Sequence, residues 1–123
     1  MTCPFCTLPQ TKVVDSNELA LVFYDSYPVT EYHTLIIPRR HVADYFELTK
    51  EEVDAMQELL YLQKDRLLQS DPTITGFNIG INVGEDAGQS IFHVHMHLIP
   101  RRHGDMEAPK GGVRGVIPEK QKY

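Results

Sequence analysis

Ser90-Ile91-Phe92-His93-Val94-His95-Met96-His97-Leu98-Ile99-Pro100 is the stretch that decides the fold. Its histidines alternate with Val, Met and Leu, which is the two-residue period of a β-strand. Successive strand side chains point to opposite faces, so His93, His95 and His97 are expected in one row, about 6.5–7 Å apart. Val94, Met96 and Leu98 would fill the other face and seat the strand on a core. The plainer alternatives are histidines on a wet face or an adventitious metal patch. The residues upstream favour a site.

Immediately before this stretch, Gly84-Glu85-Asp86-Ala87-Gly88-Gln89 is a glycine-bearing loop. Ahead of the loop, Phe77, Ile79, Ile81 and Val83 alternate with Asn78, Gly80 and Asn82, which predicts a half-buried strand. Two strands joined by so short a loop are expected to pair antiparallel. Further back, Thr49-Lys50-Glu51-Glu52 has the form of a capping box, opening a helix on which Val53, Met56, Leu59, Leu60 and Leu67 recur near helical spacing. A Met and Leu stripe of this kind predicts core, and Asp71-Pro72 ends it. A short helical turn is expected over Asp44 to Leu48. Thr34-Leu35-Ile36-Ile37 predicts a buried strand that stops before Pro38, with His33 at its mouth and Arg39-Arg40-His41 beyond. Val13-Val14 and Ala20 to Tyr24, separated by Asp15-Ser16-Asn17, predict a hairpin. The pattern as a whole is α+β, with one long helix covering a face and one short helix.

At 123 residues the chain fits a single domain, with a core over about 3–105 and a tail over 106–123. Its 41% apolar and 24% charged content are those of an ordinary globule. A formal charge of −5 argues against nonspecific binding to nucleic acid or anionic lipid. Neither a basic-then-apolar leader nor a long apolar run is seen, so the expected location is cytoplasmic, with no membrane partner. In a reducing compartment the only two cysteines, Cys3-Pro4-Phe5-Cys6, point to metal or redox chemistry rather than a disulfide. They match half of a Cys₂His₂ zinc site, and the candidates for the other half are His41 and His93. The alternative is a pair of free thiols.

Gly88-Gln89-Ser90 followed by His93-x-His95-x-His97 resembles the histidine triad superfamily of nucleotidyl hydrolases and transferases. Asn82, Asp25 and the run from His33 to His41 also look like that family's pattern. The Leu98-Ile99-Pro100-Arg101 ending with Gly104-Asp105 looks closer to the fragile histidine triad and bacterial dinucleoside polyphosphate hydrolase branch than to the phosphoramidase branch. The resemblance implies an α+β fold with a central antiparallel sheet, and a homodimer with a nucleoside phosphate site. It also implies structural zinc, because several triad proteins and the related hexose-1-phosphate uridylyltransferases carry one on a set similar to Cys3, Cys6, His41 and His93.

The residue chemistry agrees with this expectation. Attack on a phosphoanhydride at neutral pH needs an uncharged nucleophile, and imidazole, with an unperturbed pKa of about 6.5, meets that condition. His95 is central in its row, and the resemblance also assigns the nucleophile there. His97 and Gln89 would hydrogen-bond phosphate oxygens, Ser90 the bridging oxygen, and His33 would hold the imidazole row in its tautomer. Asn82 and Gly88 would line the phosphate cleft and Asp25 would accept from ribose hydroxyls. Taken singly, Asp25 and Asn82 are also ordinary turn and strand-end residues. Arg101 and Arg102, just past the row, are expected to meet the distal phosphates of a long substrate, and Arg114 in the tail is a further candidate. The expected activity is hydrolysis of dinucleoside polyphosphates such as diadenosine tetraphosphate. Nucleoside phosphoramidate hydrolysis is the enzymatic alternative, and a nucleotide-binding, zinc-scaffolded interaction protein is the alternative of another class.

Overall fold

The computed structural model describes residues 3–123. Five strands, β1 (Val13–Ser16), β2 (Ala20–Tyr24), β3 (Thr34–Pro38), β4 (Ile74–Ile81) and β5 (Met96–Arg102), form one sheet in the order β1-β2-β3-β5-β4. Every pairing is antiparallel. The expected hairpin over residues 13–24 forms, and Asn17 closes it by accepting from the Leu19 and Ala20 amides. The fold is α+β as the pattern predicts.

One long helix, α1 (Lys50–Ser70), crosses one face. Its capping box is present in full, with Glu52 N–H donating to Thr49 Oγ1 (3.1 Å) and Thr49 N–H donating to Glu52 Oε1 (2.9 Å). Met56, Leu59 and Leu67 are buried against Ala20, Val22 and Ile36 and against Ile74 and Leu98. The buried stripe also includes Glu52 and Gln63, which an apolar pattern cannot show. Glu52 is neutralised by Arg40, which donates through Nε (2.9 Å) and Nη2 (2.8 Å), so the helix start is tied to the residue preceding His41. The expected short helix is a single 3-10 turn, Tyr45–Glu47, capped by Asp44.

The opposite face carries Phe23, Leu35 and Ile37, and the segment from Cys3 to Leu8 lies over it through Phe5 and Leu8. The site is built on this face. The histidine strand is shorter than its alternation predicts, since the ladder begins only at Met96. Residues 91–95 run ahead of it, and Val94 N–H donates to Val42 O (2.8 Å). The row nevertheless survives: Val94 and Leu98 are fully buried, as expected, and Met96 packs against the cluster under α1. Beyond β5, residues 106–123 fold into 3-10 turns pinned by Arg114, whose Nη2 donates to Lys120 O (2.8 Å).

Candidate active site and metal cluster

His93, His95 and His97 are not on a wet face. His93 is completely buried, His95 is 9% exposed, and Phe5 packs edge-on to both rings. The ring centroids of His95 and His97 are 5.2 Å apart. What distinguishes the three imidazoles is the partner each has on its other nitrogen, because a main-chain carbonyl can only accept and an amide N–H can only donate.

His95 Nδ1 donates to the His93 carbonyl (3.0 Å), so a neutral His95 keeps its lone pair on Nε2. His33 is wired in the opposite sense. Val29 N–H donates to its Nδ1 (3.1 Å), which places the His33 proton on Nε2, and Nε2–H donates to His97 Nδ1 (2.8 Å). The proton of a neutral His97 is therefore on its Nε2, free to serve as a donor. Burial lowers the His33 pKa below that of ordinary imidazole, against the pull of Asp25. Burial, then His95 and His33, push His97 down to about 4. Near neutral pH this relay is uncharged.

Asp25 Oδ1 accepts from the Tyr27 amide (2.9 Å), and Oδ2 lies 3.5 Å from His33 Nε2. Asp25 thus sits beside the relay. Gly88 takes the left-handed conformation (φ 96°) that an L side chain resists, and the position of its missing Cβ is 3.8 Å from the Asn82 amide nitrogen. Asn82 and Gly88 therefore meet at the loop, with Ser90 exposed beyond them. Gln89 departs from expectation. It is 2% exposed, and Nε2 donates to Ala43 O (2.6 Å) and Ile91 O (3.1 Å) while Oε1 accepts from Gly84 N–H (3.0 Å). Both of its donors are committed to main-chain carbonyls, so here the amide braces the loop instead of facing a phosphate.

The arginines expected to meet distal phosphates are engaged elsewhere. Arg101 forms a two-pronged pair with Asp105 (2.9 and 2.7 Å) and donates to Asn78. Arg102 holds Asp71 (2.8 Å), Thr73 and the Glu31 carbonyl. Both lock the far end of β5, where Arg101 and the Arg102 amide hold Asp105 well below the usual carboxylate range and Thr73, then Arg102, hold Asp71 at about 2. Arg39 donates to the Asn17 carbonyl, Arg40 pairs with Glu52, and Arg114 stacks on Tyr123.

Cys3, Cys6, His41 and His93 offer ligand atoms that all lie within 4.8 Å of one another. The donor set fits zinc, for which two sulfurs and two imidazoles in a closed tetrahedron are a structural arrangement. The wiring fits as well. His93 Nε2–H donates to Pro38 O (2.8 Å), leaving its Nδ1 lone pair 3.5 Å from Cys6 Sγ and 3.6 Å from Cys3 Sγ. Such a bond to a ligating imidazole fixes its tautomer and raises its basicity. His41 Nδ1 is 3.2 Å from Cys6 Sγ. Desolvation and the adjacent Cys3 push the Cys6 thiol up. Asp25, His33 and His97 form a second group within the same 4.8 Å. Its wiring is wrong for a metal, because ligation at His33 Nε2 would put a proton on Nδ1 against the Val29 N–H donor. The first cluster suits a metal and the second a proton.

One feature of the site had no signal in the residue pattern. The Pro38 and His93 carbonyls and the Val29 amide set the tautomers, and any residue type carries such groups. Phe5 did have a signal, its place between the two cysteines, but only the folded chain shows that it lies against His95.

The antiparallel sheet thus presents a histidine row beside a tautomer-fixing histidine, His33. The HIT domain model matches residues 8–104, and the chain belongs to this histidine triad family of nucleotide hydrolases and transferases. The chain is 40% identical over 105 residues to Protein hit of Bacillus subtilis, covering 80% of this chain and 70% of that one. A zinc-bound histidine triad family protein from Mycobacterium smegmatis superimposes with a TM-score of 0.79 at 33% identity, covering 88% and 81% of the two chains. The diadenosine triphosphate hydrolase of Plasmodium falciparum gives 0.75 at 25% identity, covering 92% and 74%.

Proposed function

We propose that this chain hydrolyses nucleoside phosphoanhydrides, with dinucleoside polyphosphates as the substrate class, through a nucleotidyl intermediate on His95. The observation that carries the reading is the wiring of His95: Nδ1–H is held by the His93 carbonyl, so Nε2 presents a lone pair beside a neutral His97. Nε2 attacks the phosphorus next to the nucleoside, the bond to the leaving phosphate breaks, and the leaving group departs with the electron pair. Water then attacks the same phosphorus, the N–P bond breaks with its pair returning to Nε2, and the nucleoside monophosphate leaves. His97 Nε2–H is the donor suited to the charge that develops on the phosphate oxygens, and His33 holds it in that tautomer. Asp25 is suited to the ribose, and Asn82, Gly88 and Ser90 to the phosphate cleft. Kinship with a diadenosine triphosphate hydrolase supports the substrate class.

A second reading has its own support. Arg101, Arg102 and Arg40 are all held by carboxylates, so none of these three is unpaired for a distal phosphate. A nucleoside phosphoramidate, whose leaving group is small and uncharged, needs none.

The cluster at Cys3, Cys6, His41 and His93 is proposed to hold one structural zinc per chain; closed by four protein ligands, the ion supplies stability and no chemistry. A homodimer is proposed as well. β4 is an outer strand with an unpaired edge, and its Ile79 is 50% exposed.

The test is a panel of dinucleoside polyphosphates and nucleoside phosphoramidates with products resolved by chromatography, run on the parent and on His95→Asn. The parent should release nucleoside monophosphate, and the variant should lose turnover by orders of magnitude while still binding nucleotide. Equal turnover by the two would refute the His95 assignment.

A further inference from the structure

We propose that the Cys3–Cys6–His41–His93 cluster, when loaded with its metal, holds the catalytic imidazole in position, with His93 and Phe5 as positioning residues. The proposal rests on the reading of His95 as nucleophile and extends it to what controls that residue.

Two links join cluster and nucleophile. The first runs through His93. Its ring is fixed on one side by the Pro38 carbonyl, which accepts from Nε2 at 2.8 Å, and on the other its Nδ1 faces the two cysteine sulfurs. The carbonyl of this same residue accepts from His95 Nδ1–H at 3.0 Å. A ring clamped at both nitrogens keeps its own backbone from turning, and therefore keeps the acceptor that chooses the His95 tautomer. The second link is Phe5. It lies between two ligands in sequence and stands edge-on to His95, with centroids 5.2 Å apart and planes at 82°. Phe5 also wedges against Phe23.

The Cys3–Leu8 segment has little else to hold it. Among the described residues its main-chain hydrogen bonds are internal, Thr7 N–H to Cys3 O and Leu8 N–H to Phe5 O. Only the packing of Phe5 and Leu8 and the sulfur–imidazole contacts bring it to the sheet. Removing the metal leaves two thiols that no longer draw the imidazoles in, so both links loosen together. Loss of such an outer support typically costs 10–100-fold in activity.

The experiment compares zinc-loaded protein with protein stripped by a chelator under reducing conditions, then reloaded with zinc alone. Imidazole nitrogen NMR shifts report the His95 tautomer without any substrate, and a single-turnover assay follows labelled nucleotide onto His95. In the loaded protein we expect one His95 tautomer, protonated at Nδ1. The stripped protein, still folded by its β2, β3 and β5 amide signals, should show a mixture and about tenfold slower adduct formation, restored on reloading. An unchanged tautomer in the stripped protein overturns the proposal. Should stripping unfold the chain, zinc-loaded Phe5→Leu decides: it should retain the metal yet alter the His95 signals, and unaltered signals again overturn the proposal. If loaded protein forms no adduct on His95, the hydrolase reading fails while the tautomer comparison still judges this one.

Discussion

Gln89 is completely enclosed by three main-chain groups, the Gly84 amide and the Ala43 and Ile91 carbonyls. Gln89→Leu leaves all three without their partner, and a stranded buried polar group costs about 1–3 kcal/mol. The variant should therefore unfold at a markedly lower urea concentration; an unshifted midpoint would return the amide to a phosphate-facing role. Arg101 and Arg102 obey the same logic. Arg101→Ala and Arg102→Ala should lower the melting temperature and reduce turnover on polyphosphate and phosphoramidate alike. A selective loss on the polyphosphate, seen in kcat/KM, would show that these guanidiniums leave Asp105 and Asp71 for the substrate. The sequence singles out His95, His97, His33 and Asp25 and the set Cys3, Cys6, His41 and His93, and the structure brings the members of each group together. The partners were not legible. Asp71 is 31 residues from Arg102 and Ala43 is 46 from Gln89, and no local periodicity connects them.

At the scale of elements, α1 and the His41 loop form one mechanical unit. Thr49→Ala removes the cap and should cost about 1 kcal/mol, measured by chemical denaturation. Glu52→Ala should be worse, because it also releases Arg40 from the helix and with it the segment that carries His41. That second variant should bind zinc more weakly than Thr49→Ala, as competition with a chelator would read; equal affinity would separate the helix start from the cluster. The capping box was readable because it lies within four consecutive residues. β5 shows the limit of such patterns. Its alternation extends back to His93, yet pairing begins at Met96: β4 ends at Ile81 opposite Met96, and although β3 runs on through Ile37 and Pro38, Val94 N–H donates to Val42 O instead of to β3.

For the whole molecule, the neutral relay gives stability a pH dependence of definite sign. His97 is pushed down to about 4 when folded, whereas an unfolded histidine titrates near 6.5, so between those values the unfolded chain binds the extra proton. Stability should be at its full value above about pH 6.5 and fall as the pH drops toward 4, with His33 and His93 acting in the same direction. His97→Asn should flatten part of that slope in thermal melts from pH 4 to 7; an identical slope would mean that His97 is charged in the folded protein. Dimerisation through the outer strand has a similarly direct test. Ile79→Asp should sediment as a monomer if β4 carries the contact, and an unchanged species would place the interface elsewhere.

The 90 residues that separate Cys3 from His93 also govern the order in which the molecule is made. The two thiols leave the ribosome ahead of their buried imidazole partner, which emerges only after α1 and β4 have been synthesised. Contacts of such long range form late, after the loop between them has been closed. Until then the thiols are open to oxidation or to the wrong metal. If the cluster takes the proposed zinc, its capture should therefore be among the last events of maturation, and His95, the proposed nucleophile, would acquire its final setting only when synthesis of the sheet is complete.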